Sequence, residues 1–179
     1  MVTYISDYFN TNTKISSQKD YDTFLKQVIV EKIVCPCCGK VGYFIYYGVY
    51  ERGVYTSTGT LMLTVQRLQC VECGSTHALF PPCLVAYQRM QLQDQIDLFD
   101  EIEETDRIDN IGESFPYLDG DYLYYLYENY LKHWKERLLS MMMSLKDDIF
   151  ELIRRSFDEY KRQFLQISSL RNSLNSVTT

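Results

Sequence analysis

Two short stretches decide how this chain folds: EKIVCPCCGKVG at residues 31–42 and RLQCVECGSTHALF at residues 67–80. Each stretch contains two cysteines three positions apart, with a glycine directly after the second one. These four cysteines are Cys35, Cys38, Cys70 and Cys73. A glycine at this position permits the tight turn that aims backbone N–H groups at thiolate sulfurs. The pattern predicts a closed, tetrahedral four-thiolate site suited to structural Zn²⁺, with Cys37 as the spare cysteine.

Other interpretations of the cysteines remain open at this point. They could be buried thiols with accidental spacing, disulfide partners, or ligands of an iron–sulfur cluster. His77 is the histidine nearest to the cysteines, but a complete four-cysteine shell leaves it no coordination role. The paired C-x-x-C spacing favours zinc.

The residues between the two cysteine pairs predict a β-hairpin. β-Branched and aromatic residues dominate residues 41–70, and TSTG at residues 56–59 marks the turn. THALF at residues 76–80 predicts a third short strand, which ends at the following prolines. Two cysteine turns on a small antiparallel sheet make a zinc ribbon, which we assign to residues 35–86. 

A helix is predicted before the ribbon. Ser17 and Asp20 have the spacing of a capping box, and apolar residues follow at helical intervals. We therefore assign residues 1–34 to an N-terminal helical segment that packs on the ribbon.

The residues after the ribbon predict an all-α bundle, so the fold class is α+β. Residues 87–137 form an acidic helical region, compatible with a helix-turn-helix or with any small helical bundle. Residues 138–179 carry an apolar stripe that predicts one long C-terminal helix. The stripe slips by one position after Leu152, so this helix forms either a coiled coil, through which a homodimer could assemble, or a segment folded back on its own bundle.

Charge is distributed unevenly along the chain, whose formal net charge is −6. Residues 35–89 carry four basic and two acidic side chains, whereas residues 90–130 carry one basic and twelve acidic. Because phosphates attract cations, the ribbon and the basic parts of the C-terminal helix are the expected contacts with DNA or RNA, and an acidic recognition helix is disfavoured. The predicted contacts are Lys40, Arg52, Arg67 and Arg89.

The acidic helices support a second hypothesis, in which the chain is a protein-interaction adaptor or inhibitor. An amphipathic helix after the ribbon has an acidic outer face that could dock on a basic protein partner, in the manner of a nucleic-acid mimic. The acidic residues of this face are Asp94, Asp97, Asp100, Glu101 and Glu104.

The sequence indicates neither an enzyme nor a membrane protein. It lacks Gly-rich phosphate loops and hydrolase motifs, and a zinc ion with four thiolates has no open position for a substrate. No stretch approaches the roughly 20 apolar residues of a membrane helix, and the N-terminus lacks the features of a signal peptide. We therefore expect a cytoplasmic, non-enzymatic protein without a small-molecule substrate.

The two cysteine stretches resemble an uncharacterised family of bacterial zinc-ribbon proteins that are encoded by, or close to, insertion sequences. The shared pattern is C-P-x-C-G, then R-x-x-C-x-x-C-x-x-T-H-A-L-x-P and a nearby tyrosine, over about residues 33–92. The ribbon is also similar to the N-terminal zinc finger of one class of transposases. The resemblance implies that the four cysteines bind zinc and that Arg67, Thr76 and His77 belong to the shared motif. It also implies a DNA-linked role, as an accessory or regulator of a mobile element.

Overall fold

The computed structural model describes residues 2–4, 14–105, 111, 113–160, 163, 165 and 166. Its strands are β1 (Val2–Tyr4), β2 (Phe44–Thr56), β3 (Gly59–Cys70) and β4 (Thr76–Phe80). Its helices are α1 (Gln18–Gln27), α2 (Leu92–Thr105), α3 (Gly120–Asn129), α4 (Lys135–Ser140) and α5 (Ile149–Tyr160), with a 3-10 turn at Val30–Lys32 and a π-helical turn at Tyr130–Trp134. None of the helices in these ranges is long and apolar enough to cross a bilayer.

The four strands form one sheet in the order β1-β4-β3-β2. β2 and β3 make the predicted antiparallel hairpin, whose pairing runs from Thr56 opposite Gly59 at the turn to Phe44 opposite Cys70 at the far end. β4 pairs antiparallel with β3, which confirms the predicted three-stranded antiparallel arrangement and the α+β class. β1 pairs parallel with β4 and was not predicted, because residues 1–34 were assigned to a helical segment.

The buried hydrophobic residues of the described chain form two separate cores. The sheet core joins α1 to the sheet and contains, among others, Tyr21, Phe24, Leu63, Val65, Leu68, Leu79 and Phe80. The bundle core joins the later helices and contains, among others, Ile96, Phe99, Leu126, Tyr130, Trp134 and Leu152. Val85 belongs to the bundle core and its neighbour Ala86 to the sheet core, so the chain passes from one core to the other at this point.

The first helix, α1, is fixed to the sheet by its cap and by one buried tyrosine. Asp20 accepts hydrogen bonds from the N–H groups of Ser16 and Ser17, which lower its pKa and complete the predicted capping box. The fully buried Tyr21 hydroxyl donates to the carbonyl oxygen of Leu79 at 2.9 Å and accepts from the N–H of Gln66 at 3.0 Å. A single side chain therefore connects α1 with β3 and β4.

We expect Tyr21→Phe to lower the free energy of unfolding by about 1–3 kcal/mol, since it leaves the partly buried N–H of Gln66 and the buried carbonyl of Leu79 without their partner. Chemical denaturation of the metal-loaded protein measures this loss. Tyr46→Phe is the matched control, because the Tyr46 side chain is 65% exposed. Equal stabilities of the two variants would contradict a structural role for the Tyr21 hydroxyl.

The bundle helices bury apolar residues that recur at helical intervals in the sequence. Leu92, Ile96, Phe99 and Ile102 of α2 are all buried, as are Leu123, Leu126, Tyr130 and Trp134 along α3 and the π-helical turn. Asp119 caps α3, because its Oδ1 accepts from the N–H of Tyr122 at 2.7 Å. The sequence also predicts a helix over residues 106–115 and a turn over 116–120; residues 113–119 form turns and bends, so the described end of that helix is not helical, and residues 106–110 and 112 lie outside the described residues. The described helices therefore match the bundle interpretation better than a helix-turn-helix, which needs a turn of about 3–4 residues.

The prediction of one long helix from residue 138 is wrong in the described part of the chain. α4 ends at Ser140, residues 141–148 form turns and bends, and α5 begins at Ile149. Met142 has a left-handed φ of 53°, which a continuing helix does not allow, and Asp148 Oδ1 accepts from the N–H groups at the start of α5. Leu152 and Ile153 pack in the bundle core, as expected for the folded-back alternative; residues 167–179 lie outside the described residues.

Candidate metal centre and arginine cleft

The two cysteine pairs sit in turns of the same construction. In each turn the N–H of the first cysteine donates to the carbonyl oxygen five positions later, and the N–H of the glycine donates to the carbonyl oxygen of the first cysteine. The bonds are Cys35 to Lys40 at 2.8 Å, Gly39 to Cys35 at 2.8 Å, Cys70 to Ser75 at 2.9 Å and Gly74 to Cys70 at 2.8 Å. Gly39 and Gly74 have φ angles of 73° and 71°, in the left-handed region that favours glycine. The matching geometry supports selecting Cys38 rather than Cys37 as the second cysteine of the first turn.

The hairpin brings the two turns together, so that all four predicted sulfurs lie within 4.8 Å of one another. Cys35 Sγ is 3.7 Å from Cys73 Sγ, and Cys38 Sγ is 3.7 Å from Cys70 Sγ. A tetrahedral ion with Zn–S bonds of about 2.3 Å requires sulfurs about 3.8 Å apart. These residues therefore fit a four-coordinate metal ion, whereas the separations are far too long for disulfides, which need about 2.05 Å.

A second group, formed by Cys35, Cys37 and His77, also lies within 4.8 Å. It shares Cys35 with the four-cysteine group, so one ion at Cys35 can use only one of the two sets. Choosing the second group would leave the other three sulfurs crowded together without a cation. The four-cysteine group is therefore the better metal site.

The protonation of the sulfurs also suits a metal ion. Hydrogen bonds from the hydroxyl and the backbone N–H of Ser75 lower the pKa of Cys73 to about 6. Although the Lys40 N–H favours the Cys38 thiolate, desolvation and hydrogen bonds with the other three sulfurs raise the pKa of Cys38 to about 12. The Cys38 thiol therefore resists ionisation by itself, and a bound divalent cation would stabilise the complete thiolate set.

His77 lies beside this site without being needed as a ligand. Its Nε2 is 3.6 Å from Cys35 Sγ, and its ring meets Phe44 edge-on at 5.7 Å. The side chain is buried, and burial lowers the pKa of His77, so the ring is neutral and Nε2–H can donate to the Cys35 sulfur. The sequence indicated no coordination role for His77 but did not reveal this contact.

A cleft of about 480 Å³ opens on the sheet. Its walls come from β2, β3 and β4 and from the segment that follows β4. The lining residues are Tyr50, Glu51, Arg52, Gly53, Arg67, Thr76, Ala78, Phe80, Tyr87, Gln88 and Arg89. The cleft therefore holds three of the four cations that were predicted to contact nucleic acid. The fourth, Lys40, lies in the first cysteine turn, with its Nζ 5.9 Å from the ring of Tyr43.

Arg52 and Tyr122 fix the wall that residues 87–89 contribute. Arg52 donates to the carbonyl oxygen of Val85 at 2.6 Å and to that of Gln88, and its guanidinium lies over the Phe80 ring at 4.4 Å. On the other side, the Tyr122 hydroxyl accepts from the N–H of Arg89 at 3.2 Å. Arg52 is therefore largely occupied by protein contacts. The exposed Arg89 side chain hydrogen-bonds Tyr55, and Arg67 lies over the Tyr47 ring with its Nε unpaired, so each keeps N–H donors that a ligand could use.

The segment T-H-A-L at residues 76–79 contributes side chains both to the cleft and to the surroundings of the cysteine cluster. Successive residues of a strand point to opposite faces of its sheet. Thr76 and Ala78 line the cleft, while His77 between them contacts the Cys35 sulfur. Thr76 and His77 belong to the motif that the sequence shows, whereas no sequence pattern marks Gln88, whose place in the wall depends on how residues 85–90 fold over the sheet.

The five acidic residues of the alternative hypothesis all have partners within the chain. Their contacts are Lys14 Nζ with Asp94 at 2.5 Å and with Asp97 at 3.9 Å, Lys146 Nζ with Asp100 at 3.9 Å and with Glu104 at 2.7 Å, and Ser114 Oγ with Glu101 at 2.7 Å. Asp94 is also buried. The negative charge on the acidic face of α2 is thus partly neutralised by Lys14 and Lys146 of the same chain.

The fold and the site define an α+β protein with a four-cysteine cluster that could hold a metal ion, beside an arginine-lined cleft. Residues 35–112 match a family described as "Domain of unknown function (DUF6431)". The match begins at the first cysteine of the site and extends beyond α2, so it contains the four cysteines and the whole lining of the cleft. No curated protein and no solved structure is significantly similar to the chain.

Proposed function

We propose that this chain is a non-enzymatic nucleic-acid-binding protein whose zinc ribbon is held together by Zn²⁺ on Cys35, Cys38, Cys70 and Cys73. The observation that carries the proposal is the cleft, which gathers three arginines and two tyrosines on a chain of net charge −6. The resemblance to insertion-sequence-associated ribbon proteins supports a role as a cytoplasmic accessory or regulator of a mobile element.

The surface beside the cleft has the composition that nucleic acids require. Tyr43, Tyr46 and Tyr47 on or next to β2 are all about half exposed or more. The Arg67 guanidinium lies over the Tyr47 ring at 5.5 Å. Exposed aromatic rings interleaved with cations bind bases by stacking and phosphates by charge.

The proposed zinc ion has a structural role in this scheme. The second cysteine turn connects β3 to β4. Close to this turn, Gln69 of β3 pairs with Thr76 of β4, and Arg67 of β3 pairs with Ala78 of β4. A closed four-thiolate shell leaves no position for a substrate, so the metal holds the cleft walls rather than reacting. The adaptor alternative is less well supported, because its acidic residues are paired within the chain.

We expect binding to a mixed-sequence DNA to weaken with rising salt, and the double substitution Arg67→Gln, Arg89→Gln to make that dependence shallower. Each lost phosphate contact reduces the slope of log K against log salt by about 1, so the expected change is about 2. Fluorescence anisotropy at several salt concentrations measures both slopes.

Arg154→Gln is the matched control, since it removes an arginine that pairs with Glu151 and Asp158 on α5, outside the cleft. This variant should retain the slope of the unmodified protein. Binding that is absent at low salt would contradict the proposed function, and an equal loss in the control would contradict the assignment of the cleft.

A further inference from the structure

Resting on the proposed function, we propose that the arginine cleft binds one unpaired nucleotide of a nucleic-acid strand, with Gln88 contacting the base edge and Tyr87 stacking on its face. The chain would then recognise single-stranded or locally opened nucleic acid in preference to intact duplex.

The shape of the cleft favours a small unit of the ligand. Its volume of about 480 Å³ lies within the range of pockets that enclose drug-sized molecules, about 300–1,000 Å³. The paired bases of a duplex expose only their edges in the grooves and cannot enter such a pocket without leaving the stack. A nucleotide that is already unpaired has no such barrier.

Gln88 is a buried polar group that lacks a hydrogen-bond partner among the residues that the structure describes. It lines the cleft and is only 4% exposed, yet neither its Oε1 nor its Nε2 makes a hydrogen bond. Among the residues that the structure describes, six buried side-chain polar atoms are unpaired in this way, and three of them belong to Gln88 and Arg67 in the cleft. A carboxamide presents one acceptor beside two donors, which complements the adjacent donor and acceptor of a base edge.

Tyr87 occupies the cleft wall in a strained conformation. Its φ of 65° lies in the left-handed region, which is unfavourable for a residue with a Cβ, and its side chain is 68% exposed. Strained residues that the surrounding structure maintains are concentrated at binding sites. An exposed ring next to a buried amide is suited to stack on the base whose edge the amide contacts.

The charges of the cleft select an anionic ligand. Its lining carries the three arginines and one carboxylate, that of Glu51. Arg67 Nε has no hydrogen-bond partner within the described part of the chain, and the Arg89 side chain, which hydrogen-bonds Tyr55, is exposed. These two guanidiniums are suited to bind the phosphates on either side of the inserted base.

The test compares a labelled single strand of about 16 nucleotides with the blunt duplex of the same sequence, using the metal-loaded full-length protein. We expect the single strand to bind at least about tenfold more tightly. Gln88→Leu and Tyr87→Gly should each weaken single-strand binding by about tenfold. Gln93→Leu is the control, because Gln93 lies on α2 and donates to Asp97, away from the cleft.

Thermal unfolding of the same variants separates binding from folding. Gln88→Leu removes unpaired buried polar atoms and Tyr87→Gly relieves the left-handed strain, so neither should lower the melting temperature. A lowered melting temperature in both variants would assign these residues to the fold and overturn the inference.

The two proposals fail in different ways. Equal affinity for strand and duplex, unchanged by Gln88→Leu, would overturn the inference and leave nucleic-acid binding in place. Binding of neither nucleic acid would overturn both proposals. Binding of a phosphoserine peptide in their place would assign the arginines to a protein ligand and overturn both as well.

Discussion

Cys73→Ser is expected to abolish the binding of zinc and to unfold the sheet core. Structural zinc contributes on the order of 10 kcal/mol to the folding of such sites, which is comparable to the total stability of a domain. Removing one of four sulfurs opens the turn between β3 and β4 and leaves the other three sulfurs close together. Zinc content by mass spectrometry and the thermal unfolding of the purified variant measure the two effects.

Cys37→Ser is the matched control for this prediction. Cys37 is exposed and lies outside the four-cysteine group, so this variant should retain both its zinc and its melting temperature. Identical behaviour of the two variants would show that the ligand set has been chosen wrongly. If the unmodified protein took up no zinc, the proposal that the four cysteines bind Zn²⁺ would be contradicted.

Phe99→Ala is expected to lower the free energy of unfolding of the bundle by about 3–5 kcal/mol, the usual cost of truncating a buried aromatic residue. The Phe99 ring is fully buried, stacked on Tyr130 at 4.5 Å and tilted against Trp134 at 5.4 Å. The substitution therefore leaves a cavity beside the two remaining rings, those of Tyr130 and Trp134. Chemical denaturation followed by tryptophan fluorescence measures the loss, since Trp134 is the only tryptophan of the chain.

The two-core organisation makes this prediction specific. Because Phe99 lies in the bundle core and the cysteines lie with the sheet core, Phe99→Ala should retain full zinc content. Tyr124→Ala is the control, since Tyr124 is 53% exposed on α3 and should change stability by no more than about 0.5 kcal/mol. A loss of zinc in Phe99→Ala would show that the two cores do not fold separately.

The parts of the fold that the sequence predicted are those in which local pattern decides the structure. The two C-x-x-C-G stretches specify turns of fixed geometry, and the apolar residues of α2 recur at the interval that one buried helix face requires. The hairpin follows from two β-rich segments on either side of a short turn. In each case the residues that determine the element are close neighbours in the chain.

The parts that the sequence did not predict depend on distant contacts. β1 has only three residues, and its place in the sheet depends on β4, more than seventy positions later. The cleft exists because Arg52 holds the segment after β4 against the sheet through a hydrogen bond to Val85. No local sequence pattern predicts that hydrogen bond. The end of α4 was missed because an apolar stripe continues past the left-handed Met142, so periodicity alone does not reveal the turn.

The spacing of the cysteines has a consequence for the order in which the proposed centre assembles. The two turns are separated by the 31 residues 39–69, which include almost the whole hairpin. The first pair of thiols is synthesised before the second pair, and two thiols alone form only half of a tetrahedral shell. Tight binding of the ion therefore requires that β3 has already paired with β2. Retention of the metal is then a late step of folding that occurs only once the hairpin is complete.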